Sequence, residues 1–418
     1  MDARGVTSST EVRAEELART SYGRLLAILA ASSRDIESAE DSLADAFAQA
    51  LSSWPKSGVP QNPEAWLLTV ARNRQRDVMR TAAHRLTVSI DDVAVGCAPE
   101  ALDGLDPDDI PDRRLALLFV CAHPAIDPAV RTPLMLQTVL GFDAEQIARA
   151  FAMPASTLAQ RLVRAKHRIR DAGIPFVVPD RSQMPARLAP VLESIYGAYA
   201  IDWPLIAGVA ERDSLTAESH WLAVTLTQLL PDEPEVLGLA ALISLSLARR
   251  RARGSRDEFV PLDKQDTSLW DAELIAAGER YLHRAGAISR MGRFQIEAAI
   301  QSVHCARATS GVTDWMALRT LYAALLSIAP TLGARVAHVV AVGRLEGPVA
   351  GLAALDTIPE ETVHRFQPAW ATRAQLLFEA GSLDEALAAY DKAISLTTHI
   401  GERVYLERRR TQAMQPGS

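Results

Sequence analysis

Hydrophobic positions along this chain recur with helical spacing, and the clearest case runs from Asp143 to Arg170. Ile147, Ala148 and Phe151 give a first short helix its apolar side, and Asp143 with Gln146 three residues on predicts a capping box at its start. Met153-Pro154 ends that helix. Pro154 also suits the opening of a second one, because the first turn needs no N–H at that point. On the second helix Leu158, Leu162, Ala165 and Ile169 form one stripe for burial, while Thr157, Gln160, Arg161, Arg164 and Arg168 fall on the other side. A short helix, a tight turn and a second helix with a polar outer face is the helix-turn-helix layout.

Upstream, residues 13 to 54 predict two helices. Leu17, Leu25, Leu26, Ile28 and Leu29 mark the first; Ile36, Leu43, Ala46, Phe47 and Leu51 mark the second. Trp54 to Pro63 is a loop by its proline and glycine content. Asn62 then caps and Pro63 opens a helix with Trp66, Leu67, Val70, Ala71 and Val78 on its core side. Residues 87 to 112 lose this periodicity and read as a linker. From 188 onward every apolar pattern is again helical, with Pro, Gly and Asp between segments. The last part carries a repeat: Gly381, Ala386, Tyr390 and Ala393 fall where a tetratricopeptide (TPR) unit places its packing residues, and GLAALD at 351 lies 35 residues before ALAAYD at 386. Such helix pairs must stack on neighbours, so an array with a concave face is expected.

Charge changes this picture in three places. The helix after Pro154 carries Arg161, Arg164, Lys166, Arg168 and Arg170 with no acid among them, a face that suits phosphates. The helix after Pro63 carries a second basic patch, Arg72, Arg74, Arg76, Arg80 and Arg85 against Asp77. The second helix has an acidic flank, Asp35, Glu37, Glu40, Asp41 and Asp45, which serves either as favourable helix-dipole partners or as a docking face for a basic partner. The 418-residue chain has a net charge of -7, so any nucleic-acid binding uses local patches on an acidic body.

Composition excludes more than it assigns. A chain this long exceeds one core, and two or three domains are expected. Cys97, Cys121 and Cys305 are scattered and odd in number, which fits a reducing cytoplasm better than a disulfide framework. No apolar run reaches membrane-span length and the N-terminus lacks a signal-peptide core, so no membrane is expected and a cytoplasmic location is. His283, His304, His338 and His364 have no ligand spacing, so neither a metal nor a cofactor is expected, and no nucleophile with its base appears. The stretch from Phe259 to Trp270, with Asp263, Gln265 and Asp266, is either a groove lining or a loop anchored by its tryptophan.

SAEDSLADAFAQALSSWP, then NPEAWLLTVARNRQRDVMR, an acidic tether, and RLVRAKHRIRDAG after a helix-turn-helix: in this order the segments resemble a bacterial extracytoplasmic-function (ECF) sigma factor of the sigma-70 family. The stretch DRRLALLFVCAHPAIDPAVRTPLMLQTVLG and the long C-terminal half resemble a subgroup with a TPR-like extension. The resemblance implies an all-α chain: sigma region 2 over residues 1–86, an acidic linker over 87–112, a region 4 helix-turn-helix over 113–178 and a TPR-like array over 179–418. It implies docking on core RNA polymerase through Asp41, Asp45 and Phe47, with Ala44 standing where many relatives have Gln. It implies contact with the unpaired -10 strand of promoter DNA through Asn62, Trp66, Arg72, Asn73, Arg76 and Arg80. It also implies readout of a duplex -35 box through Ser156, Thr157, Gln160, Arg161, Arg164 and Arg168. The array would take an intramolecular or separate protein partner and tune activity. On this reading the chain is not an enzyme, since catalysis belongs to the polymerase. The competing reading is a stand-alone helix-turn-helix regulator with a TPR-like sensor, which would have no use for the acidic helix or the AWL helix.

Overall fold

The structure, a computed structural model, describes residues 3–86, 110–151, 153–177, 179–180, 182–202, 215–254, 258–288 and 290–414. Among these residues the chain is helical, with no strand. Those up to Asp202, with Leu215 to Leu222, form one compact unit, and those from Ala223 onward form another. Most of the acidic stretch expected to be a linker, residues 87–109, lies outside the described residues; its last three residues open a helix.

In the first unit, α1 (Ala3–Ser33), α2 (Ile36–Ser57) and α3 (Pro63–Leu86) pack against one another. Their shared core holds Leu17, Leu25, Leu26, Ile28 and Leu29 from α1, Ile36, Leu43 and Ala46 from α2, and Leu67 and Ala71 from α3. Arg34 turns the chain through φ 57°, and Asp35 then caps α2 by accepting from the backbone N–H groups of Glu37 and Ser38. Helix α2 runs further than its composition suggests, because Trp54 to Ser57 form its last turn rather than a loop. Pro55 gives up one backbone donor there. The fully buried Trp54, edge-on to Trp66 with ring centroids 5.5 Å apart, holds the turn against α3. Gly58 stops it with φ 82°, its N–H on the Trp54 carbonyl. Leu51 and Val78, expected on core sides, are exposed, since no neighbouring described helix covers those turns.

Next come α4 (Ile110–Cys121), α5 (Pro128–Thr138), α6 (Ala144–Ala150) and α7 (Ala155–Asp171). Helix α4 packs on α1 and α5, and α5 packs on α6 and α7, around Leu115, Leu118, Phe119, Leu134 and Leu136. The capping box at Asp143 forms as its spacing predicts, with Asp143 and Gln146 each accepting from the other's backbone. Phe151 does not join the core: it is the C-cap of α6, past the last turn that faces α5, and its ring is exposed. Helix α8 (Pro185–Asp202), within the stretch assigned to the extension, packs on α4 and α5. Arg187 of α8 donates to the Phe119 carbonyl at 3.4 Å. The buried Arg114 of α4 pairs with Glu218, in the first turns of α9 (Leu215–Leu229). Burial, with Arg24 nearby, pulls the Arg114 guanidinium down to about 9, so Glu218 offsets a costly buried cation.

The second unit is a run of helices, most of which pack on the next in sequence. It comprises α10 (Pro234–Leu247), α11 (Ala272–Gly286), α12 (Arg293–Cys305), α13 (Arg307–Ser310), α14 (Trp315–Ile328), α15 (Leu332–Glu346), α16 (Pro348–Asp356), α17 (Glu360–Val363), α18 (Gln367–Glu379), α19 (Leu383–Leu396) and α20 (Ile400–Met414). Each main helix packs chiefly on its neighbours in sequence, as a stacked repeat requires. Gly381 makes the α18–α19 turn at φ 82°, and Ala386, Tyr390 and Ala393 are buried in the cluster that α18, α19 and α20 share. Helix α12 has no cap of its own. Glu235 of α10 supplies one, accepting from the backbone N–H groups of Phe294 and Gln295 at 3.0 and 3.2 Å, and Gly238 lets the two helices approach, since a Cβ there would lie 2.6 Å from the Gln295 nitrogen. Glu235→Ala is expected to cost about 1–2 kcal/mol, because two helix-end donors lose their acceptor; chemical denaturation of the full chain reads it, and a loss below a few tenths would mean water caps α12 equally well.

Candidate nucleic-acid and partner interfaces

Three helices of the first unit carry the residues singled out from the sequence. On α7, successive residues advance by about 100°, which sets Ser156, Thr157, Gln160, Arg161, Arg164 and Arg168 on one side. All are exposed except Arg161, which is half-exposed. The opposite side, Leu158, Leu162, Ala165 and Ile169, is buried as the spacing predicts. A rigid helix with one anchored face and one open face bearing Thr, Gln and Arg can present hydrogen-bond donors to base edges and phosphates.

On α3 the side chains divide. Trp66, Asn73, Arg76 and Arg80 fall within about a quarter turn of each other; the last three are exposed, while Trp66 is half-buried on Trp54. Asn62 spends its side chain as a cap, accepting from the Ala65 N–H at 3.0 Å. Arg72 is only half-exposed, and burial together with Arg113 and Arg76 lowers its guanidinium. Arg80 leans on Asp77 at 2.5 Å. Along α2, Asp41, Ala44, Asp45 and Ala48 share one exposed face, on which Asp45 meets Arg74 of α3 at 2.8 Å. Phe47 is not part of that face: it stands about 240° round the helix from Asp41 and is half-buried.

The remaining acids of α2 meet α7. Lys166 Nζ lies 2.8 and 2.6 Å from the two carboxylate oxygens of Glu40, with the lysine side chain 8% exposed. Arg170 Nη1 lies 3.3 Å from Glu37 and 3.9 Å from Asp35, and His167 Nε2 lies 3.4 Å from Glu37. Burial raises the Glu40 carboxyl despite the opposing pull of Lys166, so desolvation is the larger influence on this pair. Sequence reading grouped Lys166 with the outward cations of α7, whereas its side chain points half a turn away from Thr157, into the protein. Its partner is 126 positions distant, and no local pattern signals such a pairing.

The 259–270 stretch of the second unit is an anchored loop. Arg307 donates to the Asp263 and Gln265 carbonyls at 2.6 and 2.8 Å and stacks over the buried Trp270, 5.1 Å from the ring centre. A cavity of about 450 Å³ opens near α16 to α18, where Asp356 and Arg373 pair across the lining. Among the described residues there is no cluster of His, Cys, Asp or Glu fit for a metal, and no helix is long and apolar enough to cross a membrane.

The sigma-70 region 2 family model matches residues 17–85, from within α1 to the end of α3. Residues 17–85 are thus similar to sigma-70 region 2, which supports a sigma-70 relationship. A sigma-70 region 2 points to a role in transcription initiation. A family of unknown function, DUF6596, matches residues 187–286, spanning α8 to α11. An uncharacterized protein of Rhizobium meliloti (strain 1021) is 35% identical over 378 residues, 89% of each chain, so the likeness runs through both units. The crystal structure of yeast Tom70 overlays on 99% of this chain and 84% of its own at 10% identity, with a TM-score of 0.33, too low to mean a shared arrangement.

Proposed function

We propose that this chain is an ECF-type sigma factor of the cytoplasm: α2 docks on core RNA polymerase, α3 engages the unpaired -10 strand, α7 reads the -35 box as the second helix of a helix-turn-helix, and the TPR-like array tunes the activity. The observation that carries the reading is the open acidic face of α2 inside the segment matched as region 2. Asp41 and Asp45 lie one helical turn apart in solvent, while the outer face of α7 is basic and equally open. An acidic face and a basic face on one body suit two different partners, a polymerase surface with cations and a phosphate backbone. A stand-alone regulator would need only the second.

Purified full-length protein is expected to retain core RNA polymerase in a pull-down, and Asp41→Arg with Asp45→Arg to abolish retention. The double variant should fold, because the one ion pair it breaks, Asp45–Arg74, is exposed on both partners and such pairs contribute about 0–1 kcal/mol. Retention of polymerase by the variant would remove α2 as the docking helix. Failure of the unmutated chain to bind polymerase, alongside specific binding of a DNA duplex by itself, would establish the stand-alone regulator instead.

A further inference from the structure

In a stacked array each helix meets its neighbours in sequence. One contact in the second unit breaks that rule. The segment from Glu258 to Asp263, between α10 and α11, reaches α20 at the other end of the array. The Phe259 ring stands edge-on to Tyr405 with the centroids 5.3 Å apart. Gly401 permits the approach, since a Cβ there would lie 3.0 Å from the backbone nitrogens of Glu258 and Phe259. The segment is held unevenly. Its far end is fixed by Arg307, which donates to the Asp263 and Gln265 carbonyls, and by the buried Trp270, whereas the Phe259 ring stays 39% exposed on its seat.

The surface under Phe259 is built by side chains of α15, α18 and α20. Arg344 of α15 stacks over Trp315 of α14, 5.6 Å from the ring centre, and lies 3.8 Å from Glu379 of α18. Arg409 of α20 stacks over Phe378 of α18 at 5.6 Å and donates to the side-chain oxygens of Gln375 and Gln412. Burial raises the Tyr405 hydroxyl, on which Arg409, Asp263 and Arg344 also act, so the segment and both cations converge on this ring. Arg409 is the exception among them. It is half-buried, its charge is met by two neutral amides and a ring, its Nε has no acceptor, and among the described residues no carboxylate forms an ion pair with it. A cation partly withdrawn from water in this way gains more from a carboxylate than from neutral acceptors. We propose that this face accepts an extended protein segment that brings an aromatic ring to Tyr405 and a carboxylate to Arg409, and that Phe259 of the chain itself fills the ring position. The occupant's chemistry is legible in the chain's own segment, in which Glu258 precedes the aromatic residue and Pro261 keeps the backbone extended. Tethering holds Phe259 near its seat at an effective concentration of about millimolar, so a partner displaces it by adding the carboxylate that Arg409 lacks. None of this depends on promoter or polymerase binding.

The probe is a fluorescent peptide of sequence Asp-Glu-Phe-Val-Pro-Leu-Asp, titrated by anisotropy into the full-length protein. The Phe259→Ala variant is expected to bind it at least about tenfold more tightly than the unmutated chain, because the competing ring is gone. Arg409→Gln or Tyr405→Ala, each added to Phe259→Ala, should weaken binding about tenfold or more. Glu-C protease gives a readout that needs no peptide: cleavage after Glu258 should quicken about tenfold in Tyr405→Ala, since cleavage follows the released population, while cleavage after the exposed Glu361 stays unchanged. General destabilisation would speed both cuts. Equal peptide binding by the unmutated chain and Phe259→Ala, or an unchanged cut after Glu258, would overturn the filling of the seat by Phe259. Binding indifferent to Arg409→Gln and Tyr405→Ala, or none to Phe259→Ala at about millimolar peptide, would overturn the seat itself.

Discussion

Replacing Arg161 and Arg164 together by alanine is expected to reduce -35-dependent transcription by roughly 30- to 1,000-fold while core polymerase binding stays unchanged. Each arginine placed against a guanine edge or a phosphate contributes about 1–2 kcal/mol, the lower part of the range for such contacts because Arg161 and Arg164 share one helix face, and about 1.4 kcal/mol is tenfold, so a pair contributing about 2–4 kcal/mol gives that range. The fold should not change. Arg164 is exposed and Arg161 half-exposed, both on the side of α7 away from the buried stripe, and alanine favours the helix. The measurement compares a promoter carrying its -35 box with the same promoter with that box scrambled. Loss on the first only is the expected result; equal loss on both would mean that α7 does not read this box. Lys166→Ala supplies a contrast from the same helix. It should leave discrimination between the two promoters intact, since Lys166 faces Glu40 and not the open side.

That contrast marks the limit of what the chain's pattern discloses. The buried stripe of α7 and the capping box at Asp143 are legible because they depend on residues three and four apart, the reach of helical periodicity. The final repeat is legible for the same reason, with Gly381 at the turn and Ala386, Tyr390 and Ala393 packed behind it. Charge has no such local grammar. Arg164, Lys166, Arg168 and Arg170 look alike in a basic run, yet Arg164 and Arg168 face water, Lys166 is buried on Glu40, and Arg170 reaches Glu37. The acids of α2 divide in the same way: Asp35 caps and Glu37 and Glu40 clasp α7, whereas Asp41 and Asp45 remain on the open face. Only the long-range packing of α1 on α4 decides which acid meets which base, and the glycine that lets α1 approach the Val139 carbonyl, Gly23, sits mid-helix with nothing in its surroundings to announce it. Proline content misleads for a related reason. It predicts a break at Trp54, but the burial of one large indole outweighs the single hydrogen bond that Pro55 forgoes.

Trp54→Ala is therefore expected to have the largest stability effect of any single truncation in α2, about 3–5 kcal/mol from lost burial and the cavity left behind. The ring is 1% exposed, and its indole Nε1 has no hydrogen-bond partner, so nothing polar is orphaned and the loss is one of packing. Against a typical domain stability of about 5–15 kcal/mol this is a fifth or more. A unit of this size should melt roughly 6–20 °C lower. Trp66→Ala should cost less, since that ring is half-exposed, and the two losses should be coupled by about 0.5–1.5 kcal/mol because the rings meet edge to face. The functional consequence follows from position. Without Trp54 the last turn of α2, already short of one donor at Pro55, has nothing pinning it to α3, and Trp66 loses the surface that orients it. Polymerase docking and -10 engagement should weaken together, since α2 and α3 share this contact, whereas a specific loss at α7 would spare docking. Thermal unfolding of the full chain beside Trp54→Phe, which keeps most of the buried area, separates packing from chemistry. A melting shift under about 2 °C for Trp54→Ala would mean that the turn is held by something other than this indole.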